Sequence, residues 1–219
     1  MTNFVNPFII DIEKLKESRE VMKTEDWKMP EPDVAGLIRT SGPCGRRIIK
    51  CGMTHWEQTT ALYNVIVRHL EQNINYPQWV YGVYPSGDSV KTAIEAGVQY
   101  LCLEGDQAIG AFILNNDQQG NYELGQWQAD LPVGSYLVIH TLAVHPDQYG
   151  KGVGRYMVQY CIEEARRLGY PAIRLDAVPD NVPARKLYEK MGFSFAGEKD
   201  LQRPNNEQIP LFALYELNF

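Results

Sequence analysis

The most informative part of the sequence is LAVHPDQYGKGVGR, residues 142–155. It starts at the end of the apolar run Tyr136–Val144 (YLVIHTLAV), which is typical of a central strand buried on both faces. Pro146 cannot donate to a sheet ladder, so the strand has to end before it. Apolar residues then recur at three- and four-residue steps through Gly150–Leu168, which predicts a helix. The stretch is therefore predicted to be a strand end, a glycine-spaced loop and a helix N-terminus.

This helix N-terminus has the features of an anion site. Gly150, Gly152 and Gly154 have no Cβ, so a ligand can approach the backbone closely. The first amides of a helix lack intrahelical acceptors and lie at the positive end of the helix dipole. Lys151 adds a positive charge at the same place. The sequence therefore predicts a cradle for a phosphate or pyrophosphate.

Two other phosphate-binding motifs fit less well. The loop lacks the GK[ST] of a P-loop, and its glycines run G-x-G-x-G instead of the dinucleotide pattern G-x-G-x-x-G. Asp176 lies on the next predicted strand, where a dinucleotide-binding fold places its acidic residue. A nucleotide-binding oxidoreductase therefore stays an alternative, although too little chain follows for its remaining strand–helix–strand units.

The remaining sequence predicts one compact domain, residues 46–219, preceded by an N-terminal arm, residues 1–45, for which a disordered tail is the alternative. Thr54 is a predicted N-cap. The predicted strands are Arg46–Gly52, Val98–Glu104, Ala108–Asn115, Tyr136–Val144, Ala172–Val178, Phe193–Gly197 and Leu211–Leu217, and the predicted helices are Thr54–Leu70, Ser89–Ala96, Gly150–Leu168 and Pro183–Met191.

Composition excludes several classes of function. The 219 residues include 21 Lys and Arg against 27 Asp and Glu, a net charge of −6. An acidic chain without a basic stretch is a poor candidate for binding nucleic acid or an anionic membrane surface. We find no membrane-spanning run and no secretory signal, so we expect a cytoplasmic protein. Cys44 and Cys51 lack the spacing of a zinc site, and we expect no metal.

Two motifs in this order resemble the GNAT acyltransferases, which use acetyl-CoA. The first is Leu142-Ala143-Val144, followed by Pro146 and by Tyr149-Gly150-Lys151-Gly152-Val153-Gly154; the second is Asn181, followed by Ala184, Leu187-Tyr188-Glu189-Lys190 and Gly192-Phe193. Tyr149 departs from the family pattern, which has Gln or Arg there, and Gln148 stands one place early. The resemblance implies an α/β (α+β) fold with a mixed, largely antiparallel twisted central sheet, helices on both of its faces and an N-terminal extension.

The resemblance also implies how acetyl-CoA is bound. The backbone of Leu142, Ala143 and Val144 would pair with the pantetheine arm like an added strand. The loop from Tyr149 to Gly154 would hold the pyrophosphate, and Arg155 could reach a phosphate. Asn181 would contact the pantetheine region; its alternative role is a helix N-cap.

Tyr188 and His140 are the candidate catalytic residues. A phenol stays protonated at neutral pH, so Tyr188 could protonate the departing CoA thiolate. His140 interrupts the apolar run beside the reacting acetyl group and could accept the proton of an amine, directly or through water. Ordered water alone is the alternative base. Thr141 is expected on the opposite face of the strand.

These observations predict an N-acetyltransferase that moves an acetyl group to a primary amine of a small molecule or peptide, by direct attack in a ternary complex. A non-catalytic acyl-CoA-binding module on the same fold is the alternative. The resemblance places acceptor recognition in residues 73–90, which contain Tyr76, Trp79, Tyr81 and Tyr84. The alternative for these residues is a packed surface loop, and the loop Lys199–Gln208 is the other candidate wall of the acceptor pocket. A homodimer is possible.

Overall fold

A computed structural model describes residues 45–203 and 209–219. The predicted N-terminal arm lies outside the described residues apart from Gly45. The last part of the predicted loop Lys199–Gln208, from residue 204 onward, is outside them as well.

The described part of the chain forms seven strands and four α-helices, which confirms the predicted mixed α/β fold. The strands are β1 (Arg46–Lys50), β2 (Gln99–Glu104), β3 (Gln107–Asn115), β4 (Leu137–Val144), β5 (Ala172–Ala177), β6 (Ser194–Lys199) and β7 (Phe212–Asn218). The helices are α1 (Trp56–Glu71), α2 (Gly87–Glu95), α3 (Val153–Arg167) and α4 (Val182–Lys190).

The strands form one sheet in the order β1-β2-β3-β4-β5-β7-β6. Every neighbouring pair is antiparallel except β4 and β5, which run parallel. Their pairing ends at Ile139 and Leu175, whereas β4 continues to Val144. The two strands therefore separate in the middle of the sheet and open a cleft there.

Helices cover both faces of the sheet, as expected. On one face Leu62 and Ile66 of α1 pack with Leu101 of β2. On the other face Met157 and Cys161 of α3 belong to a separate apolar core. Because successive strand residues point to opposite faces, β2 supplies both cores. This arrangement holds α1 and α3 on either side of the cleft.

The start of α1 differs from the prediction. Met53–His55 form a 3-10 turn, and the α-helix begins at Trp56 with His55 as N-cap. The Gly52 amide donates to His55 Nδ1 at 3.0 Å. This bond closes the 3-10 turn, in which Thr54 is an internal residue and not the N-cap of α1, so that prediction is wrong.

The described residues contain no helix that is both long and apolar enough to cross a bilayer.

Candidate active site

The main cleft of the described structure has a volume of about 1040 Å³ and lies where β4 and β5 separate. Two groups of lining residues are distinguished below. The glycine loop comprises residues 148–155, between β4 and the first turn of α3. The polar–aromatic cluster comprises Trp79, Tyr84, Gln119, His140, Thr141, Asp176, Arg203 and Phe212, all of which line the cleft.

The three glycines of the glycine loop serve two purposes. Gly150 and Gly152 have φ angles of +74° and +78°, the left-handed region that favours glycine, and a Cβ at either position would meet open space. A Cβ on Gly154 would lie 3.2 Å from Leu187 Cδ2. The first two glycines are therefore required by backbone conformation, and the third by the packing of α4 against the start of α3.

The backbone amides that follow Gly152 belong to the first turn of α3. Gly152 is the N-cap of α3 and supplies no side-chain cap. The bond from Tyr156 N to Gly152 O closes the first helical turn, so the amides of Val153, Gly154 and Arg155 precede the helical ladder. Gly152, Val153, Gly154 and Arg155 all line the cleft. The loop therefore has the donors and the dipole that a phosphate needs.

The side chains of the glycine loop divide between the cleft and solvent. Tyr149 is half exposed, lines the cleft, and meets the His69 ring edge-on with 5.7 Å between centroids. Gln148 also lines the cleft, and its buried Oε1 has no hydrogen-bond partner within the described residues. Lys151 is exposed and does not line the cleft, which differs from the expectation that it adds charge there.

Arg46 of β1 is a residue that the sequence analysis missed. Its buried guanidinium donates through Nη1 to the Lys151 carbonyl at 2.9 Å and through Nε to Glu104 Oε1 at 3.1 Å. The first bond ties the glycine loop to the sheet. No sequence signal indicated it, because the two bonded residues lie 105 positions apart.

A β-bulge reshapes the end of β4. The pairing with β3 steps from Ala111–Ala143 to Ile113–His140, which leaves one additional residue in β4. Thr141 lies at this point with a φ of +52°. Both His140 and Thr141 line the cleft. The expectation that Thr141 faces away from it is therefore wrong, because the bulge interrupts the alternation of side chains.

His140 is held as a neutral ring. It is buried, and its Nε2 lies 2.9 Å from the Asp117 carbonyl oxygen and 3.1 Å from Asn115 Oδ1. A carbonyl can only accept, so Nε2 carries the proton and Nδ1 keeps its lone pair. Burial lowers the pKa of His140 to about 4, although the Asp176 carboxylate acts against this shift. At neutral pH His140 is thus a hydrogen-bond acceptor.

Asp176 and Arg203 form a buried ion pair in the polar–aromatic cluster. Arg203 donates to both carboxylate oxygens, at 2.9 and 2.5 Å, and through Nε to the Gln119 carbonyl at 2.8 Å. Tyr122 donates to Asp176 Oδ1 at 2.5 Å. Burial disfavours the charged carboxylate, but Arg203 outweighs burial and holds the pKa of Asp176 below its usual range. The sequence suggested only one role for Asp176, that of the acidic residue in a dinucleotide-binding fold.

An aromatic wall adjoins this ion pair. Tyr84 OH and Thr141 Oγ1 are hydrogen-bonded at 2.7 Å. The Trp79 ring packs edge-on between Tyr63 and Tyr84, with centroid distances of 6.3 and 6.1 Å. Of the aromatic residues expected to recognise an acceptor, Tyr76, Trp79 and Tyr84 line the cleft. Tyr81 is directed away and stacks against Arg68.

Asn181 and Tyr188 lie on the α4 side of the cleft. Asn181 Oδ1 accepts from Ala184 N at 3.2 Å, so the N-cap role is present, and Asn181 also lines the cleft. Ala184 and Tyr188 line it too, as their shared helix face predicts. Tyr188 is buried, and burial raises the pKa of its phenol. The phenol therefore stays protonated at neutral pH.

Leu142, Ala143 and Val144 line the cleft along the part of β4 that extends beyond its pairing with β5. Their other edge remains paired with β3 through Ala111–Ala143 and Gly110–Val144. A strand fixed on one side and open on the other can accept an extended ligand as an added strand.

Comparison with known proteins agrees with this geometry. The profile of the Acetyltransferase (GNAT) family matches residues 60–193, more than half of the chain. An acetyltransferase from Salmonella typhimurium, solved with acetyl-CoA, has a TM-score of 0.57 at 18% identity and covers 80% of this chain and 94% of its own. At that identity the likeness shows the fold alone.

Two curated relatives differ in the substrates that they are named for. The L-methionine sulfoximine/L-methionine sulfone acetyltransferase of Salmonella typhimurium is 29% identical over 43% of this chain and 57% of its own length. The streptothricin acetyltransferase of Streptomyces lavendulae is 36% identical over 28% of this chain and 32% of its own. The chain thus spans less than two thirds of either relative. By its profile match, the chain belongs to the GNAT acetyltransferase family, whose co-substrate is acetyl-CoA.

Proposed function

We propose that this protein transfers an acetyl group from acetyl-CoA to a primary amine of a small molecule or peptide, by direct attack in a ternary complex. The observation that carries the proposal is the separation of β4 from β5. It joins the glycine loop, the open edge of Leu142–Val144, His140 and Tyr188 along one continuous cleft.

The glycine loop is proposed to bind the pyrophosphate of acetyl-CoA through the amides around Gly152 and Gly154. Arg155 lines the cleft beside these amides and would contact a phosphate. The open edge of Leu142–Val144 would pair with the pantetheine arm, as the half-paired state of this strand end allows. Asn181 would add a contact while it caps α4.

The proposed chemistry needs no covalent enzyme intermediate. The amine nitrogen attacks the thioester carbon, the C–N bond forms, and the C–S bond breaks. Backbone amides near Leu142–Val144 stabilise the negative charge that develops on the carbonyl oxygen. Tyr188 gives its proton to the leaving thiolate, which its protonated state at neutral pH supports.

The proton lost by the amine goes to His140 or to water. With a pKa near 4, His140 is a weak base toward an ammonium ion, but its Nδ1 lone pair can accept a hydrogen bond from the amine or from a relaying water. We therefore place His140 as an acceptor that orients the nucleophile, with water as the carrier of the proton.

A cytoplasmic location and a homodimer stay predictions from the sequence.

The test is free-thiol release from acetyl-CoA in the presence of a mixed amine library. We expect release that depends on an amine, and a kcat lower by about tenfold or more in Tyr188→Phe, because the general acid is lost. Acetyl-CoA affinity, measured by calorimetry, should change by less than about threefold. Tyr215→Phe is the matched control: its ring lies 6.1 Å from that of Tyr188, yet it does not line the cleft, so kcat should hold.

Two other outcomes would redirect the proposal. If acetyl-CoA binds but no amine provokes release, the protein is an acyl-CoA-binding module. If acetyl-CoA does not bind, the glycine loop has been assigned to the wrong ligand. The family match over residues 60–193 argues against the oxidoreductase alternative.

A further inference from the structure

The charges that line the cleft are unequal in sign. Among the described residues, the lining includes one carboxylate, Asp176. It includes four cationic side chains, Arg155, Lys186, Lys190 and Arg203. The net charge of the whole chain is −6, so its surface would attract cations. The charged side chains that line the cleft, in contrast, are mostly positive.

The one carboxylate is already engaged. Asp176 accepts from Arg203 on both oxygens and from Tyr122 on one of them. Its charge is already balanced by the Arg203 guanidinium, so a substrate cation beside it would compete with that guanidinium for the same oxygens. A cationic group of an acceptor would therefore find no available counter-charge in the described lining.

Arg203, in contrast, keeps donors for a ligand. A guanidinium has five N–H groups, and the contacts of Arg203 with Asp176 and the Gln119 carbonyl use three of them. Its side chain lines the cleft and lies over the Phe212 ring, 4.7 Å from the centroid. A carboxylate that approached from the cleft would meet a fixed guanidinium.

The groups that would receive an amine are close to this guanidinium. His140 and Arg203 both interact electrostatically with Asp176, and Thr141 is joined to the same cluster through Tyr84. Nδ1 of His140 and Oγ1 of Thr141 are neutral groups that can accept from an amine. Acceptors for an amine and donors for a carboxylate thus lie in one compact cluster. Its remaining walls are Trp79, Tyr84 and Phe212.

We propose that the acceptor is an α-amino acid with an apolar side chain, whose carboxylate is bound by Arg203 while its amine is directed at the acetyl group beside His140. The proposal rests on the acetyl transfer proposed above. In an α-amino acid the amine and the carboxylate are attached to the same carbon, which suits two binding groups held in one cluster. The aromatic wall would pack against the side chain, and a polyamine or a polycationic acceptor would be rejected.

The test compares matched acceptors on the wild-type protein. L-Leucine and L-phenylalanine are each paired with their amides, and spermidine represents the polycations. We expect kcat/KM to be about tenfold or more higher for each acid than for its amide. The amine of an amino-acid amide is less basic than that of the acid, so more of it is unprotonated and able to attack at neutral pH. This difference alone would favour the amides, so a preference for the acids cannot come from it.

A double variant tests the assignment to Arg203. Asp176→Asn combined with Arg203→Gln removes both charges and leaves no buried charge unpaired. The acid-to-amide ratio should fall to within about threefold of one. Arg155→Gln, which changes another cation of the lining, should raise KM for acetyl-CoA and leave the ratio unchanged. If the double variant does not fold, inhibition of the wild type decides: 3-phenylpropionate should compete with L-phenylalanine, and phenethylamine should compete at least tenfold more weakly.

The outcomes separate the two proposals. Equal use of acids and amides, or a preference for spermidine, would overturn the amino-acid acceptor and leave acetyl transfer standing. If acetyl-CoA binds but neither these amines nor the wider library provoke thiol release, the proposed function is overturned and this inference with it. A ratio that survives the double variant would remove Arg203 from the carboxylate site.

Discussion

The glycine loop and the polar–aromatic cluster line the same cleft but are built in different ways. The glycine loop is one continuous stretch, residues 148–155, and its proposed binding groups are backbone amides next to two left-handed glycines. The polar–aromatic cluster takes its side chains from loops and strands spread between Trp79 and Phe212. Its geometry depends on an ion pair, a bulge and ring contacts between distant residues.

This difference explains why the glycine loop could be predicted from a single sequence and the polar–aromatic cluster could not. Backbone donors need only a local conformation, which glycine spacing encodes within a few residues. Side-chain pockets need contacts between segments far apart in the chain. The proposed phosphate site therefore depends on one short stretch, whereas the proposed acceptor site depends on contacts across the whole fold.

Protonation of His140 would place a charge inside the buried polar–aromatic cluster. We expect the largest effect here, a fall in the free energy of unfolding. The folded chain resists protonation until about pH 4, whereas the unfolded chain takes up this proton near pH 6.5. The unfolded state thus binds more protons between these values, and the free energy of unfolding falls as pH falls from 6.5 to 4, by about 3 kcal/mol in total. Urea unfolding at several pH values measures this, and His140→Asn should lose that part of the slope.

The control for this series is His145→Asn. Asparagine can keep the turn bond that His145 Nδ1 accepts from Asp147 N, and His145 does not line the cleft. This variant shows how much of the change in slope comes from removing a histidine outside the cleft. Equal slopes in wild type and His140→Asn would contradict the neutral, buried state of His140.

Gly152→Val should have the second-largest effect, because it disrupts the glycine loop. A β-branched residue at a φ of +78° is strained by about 1–2 kcal/mol, and the loop would leave its left-handed turn to relieve it. Calorimetry should show the Kd for acetyl-CoA rising about tenfold or more.

Gly169→Val is the matched control at the other end of α3, with a φ of +75° and open space at its Cβ. It should lower stability in the same way and leave the Kd unchanged. A similar loss of affinity in both variants would mean that stability alone, and not the loop turn, was measured.

Arg46→Met tests the link between the sheet and the glycine loop, because it removes the hydrogen bond from Arg46 of β1 to the Lys151 carbonyl. Methionine keeps the buried apolar volume but cannot bond the Lys151 carbonyl. We expect the Kd for acetyl-CoA to rise by about threefold to tenfold. Arg47→Met, which removes an exposed pair with Asp106, should have no effect. An unchanged Kd in Arg46→Met would show that the glycines hold the loop unaided.

Tyr149→Gln should have the smallest effect. It restores the residue type of the family pattern and removes the ring contact with His69. If backbone amides dominate binding, the Kd for acetyl-CoA should stay within about threefold of the wild type. A larger gain in affinity would show that a Gln side chain at position 149 contacts acetyl-CoA in a way that Tyr149 does not.

Much of the fold could be predicted because its signals are local. The apolar run ending at Val144, the helix period after Gly150 and the two-residue turn between β2 and β3 each occupy adjacent residues. The boundary of α1 could not be predicted, since Met53–His55 form a 3-10 turn and His55, not Thr54, is the N-cap residue. The face of Thr141 was missed because a bulge depends on the register of the partner strand.

The strand–loop–helix unit of residues 142–155 and the face shared by Asn181 and Tyr188 could be predicted from the sequence, although the helix begins at Val153 and not at Gly150. These features follow from residue type and spacing. Only the tertiary structure decided that Asp176 pairs with Arg203, that Arg46 holds the glycine loop, and that His140 is buried and neutral. The physical reason is that ion pairs, burial and pKa shifts depend on which distant residues share one low-dielectric site.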